Sequence, residues 1–316
     1  MLNRLPQPIP YQGSKRTIAA QILKYMPCEI ARIIEPFAGS AAVSIAAAYR
    51  GLAGEFLLND LNRPLADLLR LMIDRPTEIA DKYQQLWTAQ LGQERAFYDE
   101  VRTRFNQTHQ PELLLYLLAR CVKASVRYNA NGEFNQAPDN RRKGRHPESM
   151  RQEIGDFSRL LIGKTLVTGN DFRATASLIS PSTDFVYLDP PYQGTSGRRD
   201  SRYRSGVAHC DLVDYLETLN QRKIMFALSY DGVKGDKTYG VELPTELKLY
   251  KMLLHAGRST QSTLLGRSDI TYESLYLSAP LVARLDSQVV QSAERSFIQV
   301  NLTNPAFQLK LELSGV

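Results

Sequence analysis

Between Ala31 and Asp60 the chain reads as strand, glycine turn, helix, strand and acid, and this succession constrains the fold more than any other stretch. Ala31-Arg32-Ile33-Ile34 is a short apolar run that ends at Glu35-Pro36-Phe37-Ala38-Gly39. Ser40 to Tyr49 is alanine-rich and helical, and Glu55-Phe56-Leu57-Leu58 is a second apolar run closed by Asn59-Asp60. Two strands joined through a helix lie parallel with a right-handed crossover, so the sequence predicts an α/β protein with a parallel sheet. The spacing from Gly39 to Asp60 places a carboxylate at the end of the second strand, where it can accept the hydroxyls of a ribose. The turn departs from G-x-G-x-x-G, with Ala41 and Ala42 where a dinucleotide fold wants glycine, so a pyrophosphate cradle is not expected. A cofactor with a ribose and no phosphate fits better, and S-adenosylmethionine is the foremost candidate. Asp60 could equally cap the helix that follows, or do both.

A second strand end carries chemistry. Asp184-Phe185-Val186-Tyr187-Leu188 reads as a buried strand, and Asp189-Pro190-Pro191-Tyr192 follows it directly. In open α/β sheets ligands bind at the carboxyl ends of the strands. The prolines fix φ and offer carbonyls with no competing N–H. An acceptor carboxylate, a carbonyl and a flat ring then face one small volume. That combination suits the exocyclic amino group of a planar base, two acceptors for its N–H bonds and a ring to stack on. The plainer reading is a strand that ends in a proline turn.

Elsewhere residues 15–26, with Ser14 as N-cap, read as a helix. From Pro64 to Leu161 the periodicity is mainly helical, with a polar stretch from Arg127 to Pro147. Strand signals return at Thr165-Leu166-Val167, Phe185 to Leu188 and Lys223 to Ser229, and two apolar runs follow at Leu247 to Leu254 and Thr271 to Leu277. The part after Pro280 alternates weakly and reads as β, without an assigned role. The expected organisation is an α/β domain of residues 1–63 and 162–279, a mainly helical insertion of residues 64–161, and an extension of residues 280–316.

Composition narrows the class. The 316 residues are 43% hydrophobic and 23% charged, within the ordinary range for a folded soluble chain, and no apolar run reaches the ~20 residues of a membrane helix. The first residues lack the apolar core of a signal peptide, and the odd, scattered Cys28, Cys121 and Cys210 suit a reducing cytoplasm better than a disulfide framework. The four histidines show no metal-ligand spacing, so no metal is expected. A net charge of +6 favours a polyanionic partner without requiring one.

Several segments in order resemble the Dam-type family of DNA adenine-N6 methyltransferases. Tyr11-Gln12-Gly13-Ser14-Lys15 is similar to its aromatic-x-Gly-Gly-Lys segment, Glu35-Pro36-Phe37-Ala38-Gly39 to its Glu/Asp-Pro-Phe-x-Gly loop, Asn59-Asp60 to its ribose-binding acid, and Asn170-Asp171-Phe172 to the segment at the cofactor's adenine. Phe97-Tyr98, Phe105-Asn106, Arg127-Tyr128-Asn129 and Gly132-Glu133-Phe134-Asn135 resemble its recognition insertion, and Asp189 to Tyr192 its catalytic motif.

The resemblance implies a Rossmann-like S-adenosylmethionine-dependent fold and methyl transfer to N6 of an adenine flipped out of duplex DNA. It implies Tyr11, Gly13, Lys15, Glu35, Phe37, Gly39, Asp60, Asp171 and Phe172 around the cofactor, with Lys15 and Glu35 at its methionine end. Ala41 departs from the family's second glycine. A methyl group there could narrow the cofactor cleft and is tolerated if φ is negative. Members specific for GATC carry Tyr-Asn-Gly where this chain has Val122-Lys123-Ala124, so another recognition sequence is implied.

For DNA, Arg127, Asn129 and Asn135 are candidates for base edges, because Arg pairs with guanine and Asn with adenine in the major groove, and Lys123 is a further DNA-binding candidate. The two asparagines could instead fix a hairpin. Arg141, Arg142, Lys143, Arg145, Arg198 and Arg199 are candidates for phosphates, although such charge runs are often solvated faces. The expected partner is double-stranded DNA, with a cognate restriction endonuclease as a further one, no membrane and a monomeric state. An RNA adenine methyltransferase and a catalytically inactive DNA-binding relative remain as alternatives.

Overall fold

Successive residues of a strand face opposite sides of the sheet, and here both sides are apolar. Ile33, Phe56, Leu58, Phe185, Tyr187 and Ala227 enter one buried layer, while Ile34, Leu57, Val186, Leu188, Phe226 and Leu228 enter the other. A sheet buried on both faces is what the near-continuous apolar runs demanded. The computed structural model describes residues 4–191, 207–234, 237–239, 241–258 and 270–296.

The strands are β1 (Arg32–Glu35), β2 (Glu55–Asn59), β3 (Thr165–Thr168), β4 (Asp184–Leu188), β5 (Met225–Lys234), β6 (Lys237–Tyr239), β7 (Tyr250–Arg258) and β8 (Ile270–Leu277). They form one sheet in the order β3-β2-β1-β4-β5-β8-β7, with β6 paired to β5. β1 to β5 are parallel, and β8 runs against them at one side, pairing antiparallel with both β5 and β7. The order reverses between β1 and β4, so their carboxyl ends frame the crevice where doubly wound sheets bind ligands. The Rossmann-like α/β expectation is met.

Helices α1 (Ala19–Ile22) and α2 (Ala42–Arg50) come early in the chain. Between β2 and β3 lie α3 (Arg63–Asp74), α4 (Pro76–Ala89), α5 (Glu94–Thr108), α6 (Pro111–Arg120) and α7 (Pro147–Leu161). Proline occupies the first turn of α3, α4, α6 and α7, where its missing N–H has no intrahelical partner to lose. Leu65, Leu68, Leu69, Met72 and Ile73 of α3 are all fully buried, in the same layer as β1, β2 and α7. Truncating one of these to alanine costs roughly 2–5 kcal/mol in such a core. α8 (His209–Gln221) covers the other face through Leu212, Tyr215, Leu216 and Leu219.

Three local expectations are corrected. Residues 15–26 are not one helix but a 3₁₀ turn (Lys15–Thr17), the single α turn of α1, and a second 3₁₀ turn (Leu23–Tyr25). The segment serves two directions: Lys15 enters the strand-end crevice while Ile18, Ala19, Ile22 and Leu23 enter the core. Ser14 makes no side-chain cap and instead accepts a hydrogen bond from Ser40 Oγ at 2.9 Å. Residues 280–296 are helical and not β: they lie in α9 (Ala279–Ser296), with Pro280 in the first turn and Leu281 buried against the core. The weakly alternating run from Phe297 to Leu302 lies outside the described residues.

Candidate active site

The crevice is built from the ends of β1, β2 and β4. Glu35 ends β1 and is buried; its Oε1 accepts the backbone N–H of Ser44, in the first turn of α2, at 2.7 Å. Burial pushes its carboxyl up to about 7 despite that bond, with the nearby Asp189 charge adding to the rise. No cation pairs with Glu35 among the described residues. A buried carboxylate that is costly to ionise in the free protein suits a cationic ligand.

At the end of β2, Asn59 spends its whole side chain on the crevice. Its Nδ2 donates to the carbonyls of Pro36 and Asn170, and its Oδ1 accepts from Thr168 Oγ1 and the Asn170 N–H. One amide therefore ties the loops after β1 and β3. Asp60 follows: one carboxylate oxygen accepts the Gly39 N–H at 2.9 Å and the other the Asn62 N–H at 2.9 Å. Asp60 thus fastens the glycine turn to the loop into α3, whose N-cap position is Asn62 and not Asp60. Each oxygen keeps a further lone pair for a hydroxyl donor. Burial again raises its pKa.

Gly39 has φ +50°, and a side chain there would meet the Tyr11 ring at 3.3 Å. The backbone turn and the ring are thus held face to face, with Gly13 also at positive φ beside Tyr11. Ala41 has φ +54°, not the negative value under which a methyl is easily tolerated. Its methyl is fully buried in the core. The left-handed alanine costs roughly 1–2 kcal/mol of backbone strain. Phe37 lies on Phe172 with ring centroids 4.9 Å apart, giving the crevice an aromatic wall. Asp171 turns outward to Arg173 at 2.8 Å, which holds its carboxyl below the ordinary range, and caps the 3₁₀ turn that carries Phe172.

Asp189 stands at the end of β4. The ammonium of Lys15 lies 2.9 Å from Asp189 Oδ1 and 2.9 Å from Glu273 Oε1. The resemblance set Lys15 with Glu35 at the cofactor's methionine end; in the structure Lys15 forms ion pairs with Asp189 and Glu273. Burial raises Asp189 to about 6, Lys15 opposes the rise, and Glu273 adds to it. Tyr187, one turn of the pleat earlier, bonds Ser229 Oγ at 2.8 Å, and burial raises its phenol well above the ordinary value. Pro190 is buried and Pro191 half-buried. Tyr192, Arg198 and Arg199 lie outside the described residues.

Above the crevice sits the polar stretch between α6 and α7. Residues 127–135 form a hairpin: Asn135 N–H donates to the Arg127 carbonyl, and Tyr128 bridges to Phe134. Asn106 clasps Phe134 through reciprocal bonds to its N–H and carbonyl, while Phe105 and Tyr128 meet the Phe134 ring edge-on. Tyr128 Oη donates to Asn62 Oδ1 at 3.1 Å, so the hairpin is anchored to the Asp60 loop. The Gln12 N–H donates to the Ala124 carbonyl, which anchors the Tyr11 segment to the same region. Lys123 and Ala124 both have positive φ there, and Lys123 is exposed.

The hairpin asparagines part company. Asn129 Oδ1 accepts the N–H groups of Asn131 and Glu133, and its Nδ2 donates to Glu133 Oε2 at 2.8 Å. Asn135 is exposed. Arg141 and Arg142 are exposed around Asp139, Lys143 pairs with Glu94, and Arg145 bonds the Gln7 carbonyl and lies 3.3 Å from Glu153. Asn59, Asn62 and Glu273 were not singled out from sequence. Asn59 and Asn62 flank an acid already noticed, whereas nothing near Glu273 signals a partner 258 positions away.

The model of the D12 class N6 adenine-specific DNA methyltransferases matches residues 11–253. Among curated proteins, the modification methylase StsI of Streptococcus sanguinis is 28% identical over 71% of this chain, which spans about a third (35%) of that protein. The retron Ec67 DNA adenine methylase of Escherichia coli is 26% identical over 73% of this chain and 84% of its own length. The type II methyltransferase M.CviBI of Paramecium bursaria Chlorella virus NC1A is 26% identical over 79% of this chain and 93% of its own.

Proposed function

The chain belongs to the D12 class of N6 adenine-specific DNA methyltransferases, and on that premise we propose that it methylates N6 of adenine at one short sequence in duplex DNA, with S-adenosylmethionine as donor. The observation that carries this reading is the set of three recessed carboxylates, Glu35, Asp60 and Asp189, at the switch point of the sheet. Their chemistry fits that donor: a buried anion for its ammonium or sulfonium, a strand-end acid for its ribose, and the Phe37–Phe172 wall for its adenine. When bound, it supplies an electrophilic methyl group whose C–S bonding pair stays on sulfur as the amine nitrogen takes the carbon.

The chain's own residues prepare the amine. An adenine amino group is a weak nucleophile because its lone pair is delocalised into the ring. Asp189 and the Pro190 carbonyl accept its two N–H bonds and localise that pair on nitrogen. Positive charge develops on nitrogen during transfer, and the Asp189 carboxylate stabilises it until the nitrogen gives up a proton to solvent water. Tyr192 stacks on the flipped base, a contact worth ~1–3 kcal/mol in comparable sites. With its value near 6, Asp189 is ionised at neutral pH, and turnover falls as pH drops through about 6.

In this reading residues 64–161 recognise DNA, and residues 1–63 with 162–279 carry out transfer. Arg127 and Asn135 meet bases, Arg141, Arg142 and Lys143 meet phosphates, and Lys123 binds DNA as well. The enzyme acts as a cytoplasmic monomer beside a cognate endonuclease. No helix among the described residues is long and apolar enough to cross a membrane. The test is incubation with radiolabelled S-adenosylmethionine and unmethylated genomic DNA, followed by single-molecule sequencing. N6-methyladenine at one short sequence is the expected result. Label in RNA alone, or bound donor with no label in any nucleic acid, overturns the reading.

A further inference from the structure

Lys15 has two carboxylates where a neutral ion pair needs one. Its ammonium is 2.9 Å from Asp189 and 2.9 Å from Glu273, and the three side chains are 7%, 21% and 14% exposed, so water screens the cluster weakly. Glu273 belongs to β8, where it is paired with Leu254 of β7 and with Gly232 of β5, beyond a register shift in β5. It alternates with Leu275 and Leu277, which enter the same core layer as Tyr187. It also lies past the last residue matched by the family model, Leu253.

The charges explain why the third group matters. One ammonium and one buried carboxylate cancel, and the carboxylate's lone pairs turn toward the ammonium. A second carboxylate leaves the cluster at net −1 and competes for the charge of the same ammonium. An acceptor facing a nitrogen that becomes positive is more useful with that surplus charge than without it.

We propose that Glu273 is a positioning residue for methyl transfer: by sharing the Lys15 ammonium, it leaves the cluster at net −1 and the Asp189 lone pairs available to the substrate amine. This rests on the function proposed above. The charged or titratable groups around Asp189 are Lys15 from the turn before α1 and Glu273 from β8, which act on it, and Glu35 from β1 and Tyr187 from its own strand, on which its charge acts. Of these Lys15 lowers its proton affinity and Glu273 raises it.

The experiment compares the full-length wild type with Glu273→Gln, which keeps the side chain's shape, and with Glu273→Asp, which keeps its charge. Asp189 is titrated by carbon NMR of labelled aspartate, assigned with Asp189→Asn, and kcat and KM are measured across pH. In Glu273→Gln the Asp189 midpoint and the acid limb of the rate profile should both move to lower pH. Its kcat should fall about tenfold or more, with KM for DNA and cofactor affinity within about twofold. Glu273→Asp should restore part of the rate. An unchanged Asp189 midpoint overturns the proposal whether or not the wild type methylates DNA, and so does an unchanged kcat. A shifted midpoint in a wild-type protein that methylates nothing supports the electrostatic coupling and tells against the function instead.

Discussion

The strand-end crevice and the hairpin above it are both rich in polar residues, yet they use them differently. In the crevice Glu35, Asp60 and Asp189 are held in place at the strand ends and keep acceptor capacity beyond their bonds to the protein. In the hairpin Asn129 is consumed by its own turn, and Arg145 ties the N-terminal segment to α7. A parallel strand supplies its own backbone partners, so a side chain just past its end is left for a ligand. An irregular loop has no ladder, so its polar side chains must satisfy the backbone first.

The largest expected effect tests the crevice side of this contrast. Asp189→Ala should lower kcat by about a thousandfold or more, with cofactor affinity nearly intact by calorimetry. Substantial residual turnover would move the chemistry away from the strand end. Glu35→Gln comes next. Glu35 titrates at about 7 in the fold against an ordinary 4.5, so its stabilising contribution is full below about pH 4.5 and lost as pH rises through about 7. Denaturant unfolding at pH 8 should therefore find the glutamine variant more stable by up to about 3 kcal/mol, while cofactor binding weakens. Equal stability at pH 5 and pH 8 in the wild type would mean that Glu35 is not costly to ionise.

On the hairpin side, Asn129→Ala should cost about 1–2 kcal/mol of local stability. The signature is faster amide exchange at residues 131–135 with the same methylated sequence; a changed sequence with undisturbed exchange would return Asn129 to the bases. Arg127→Ala should broaden sequence choice, whereas Arg142→Ala should weaken all DNA binding alike and flatten its salt dependence by about one phosphate contact. Identical behaviour would erase the split between base and phosphate contacts. The smallest effect is Ala41→Gly. Relief of roughly 1 kcal/mol of strain is offset by the loss of one buried methyl, about 0.8 kcal/mol. The melting temperature should then move by no more than about 3 °C, and a large drop would show that the methyl matters more than the strained φ.

The sequence by itself determined the parallel sheet, the crevice acids and the family. A strand, a glycine turn and an acid are local patterns whose positions follow from strand and helix geometry, so Gly39, Asp60 and Asp189 could be placed at one edge before any coordinates. Asn59 was in view but its four bonds were not, because they come from loops after β1 and β3 that only the sheet order brings together. The left-handed φ of Ala41 was likewise decided by the fold, since the turn between β1 and α2 holds it there against a local preference of roughly 1–2 kcal/mol. Lys15 and Glu273 show the limit most clearly. A charge carries no sequence mark of its partner, and only the antiparallel return of β8 beside β5 sets Glu273 against an ammonium from the start of the chain.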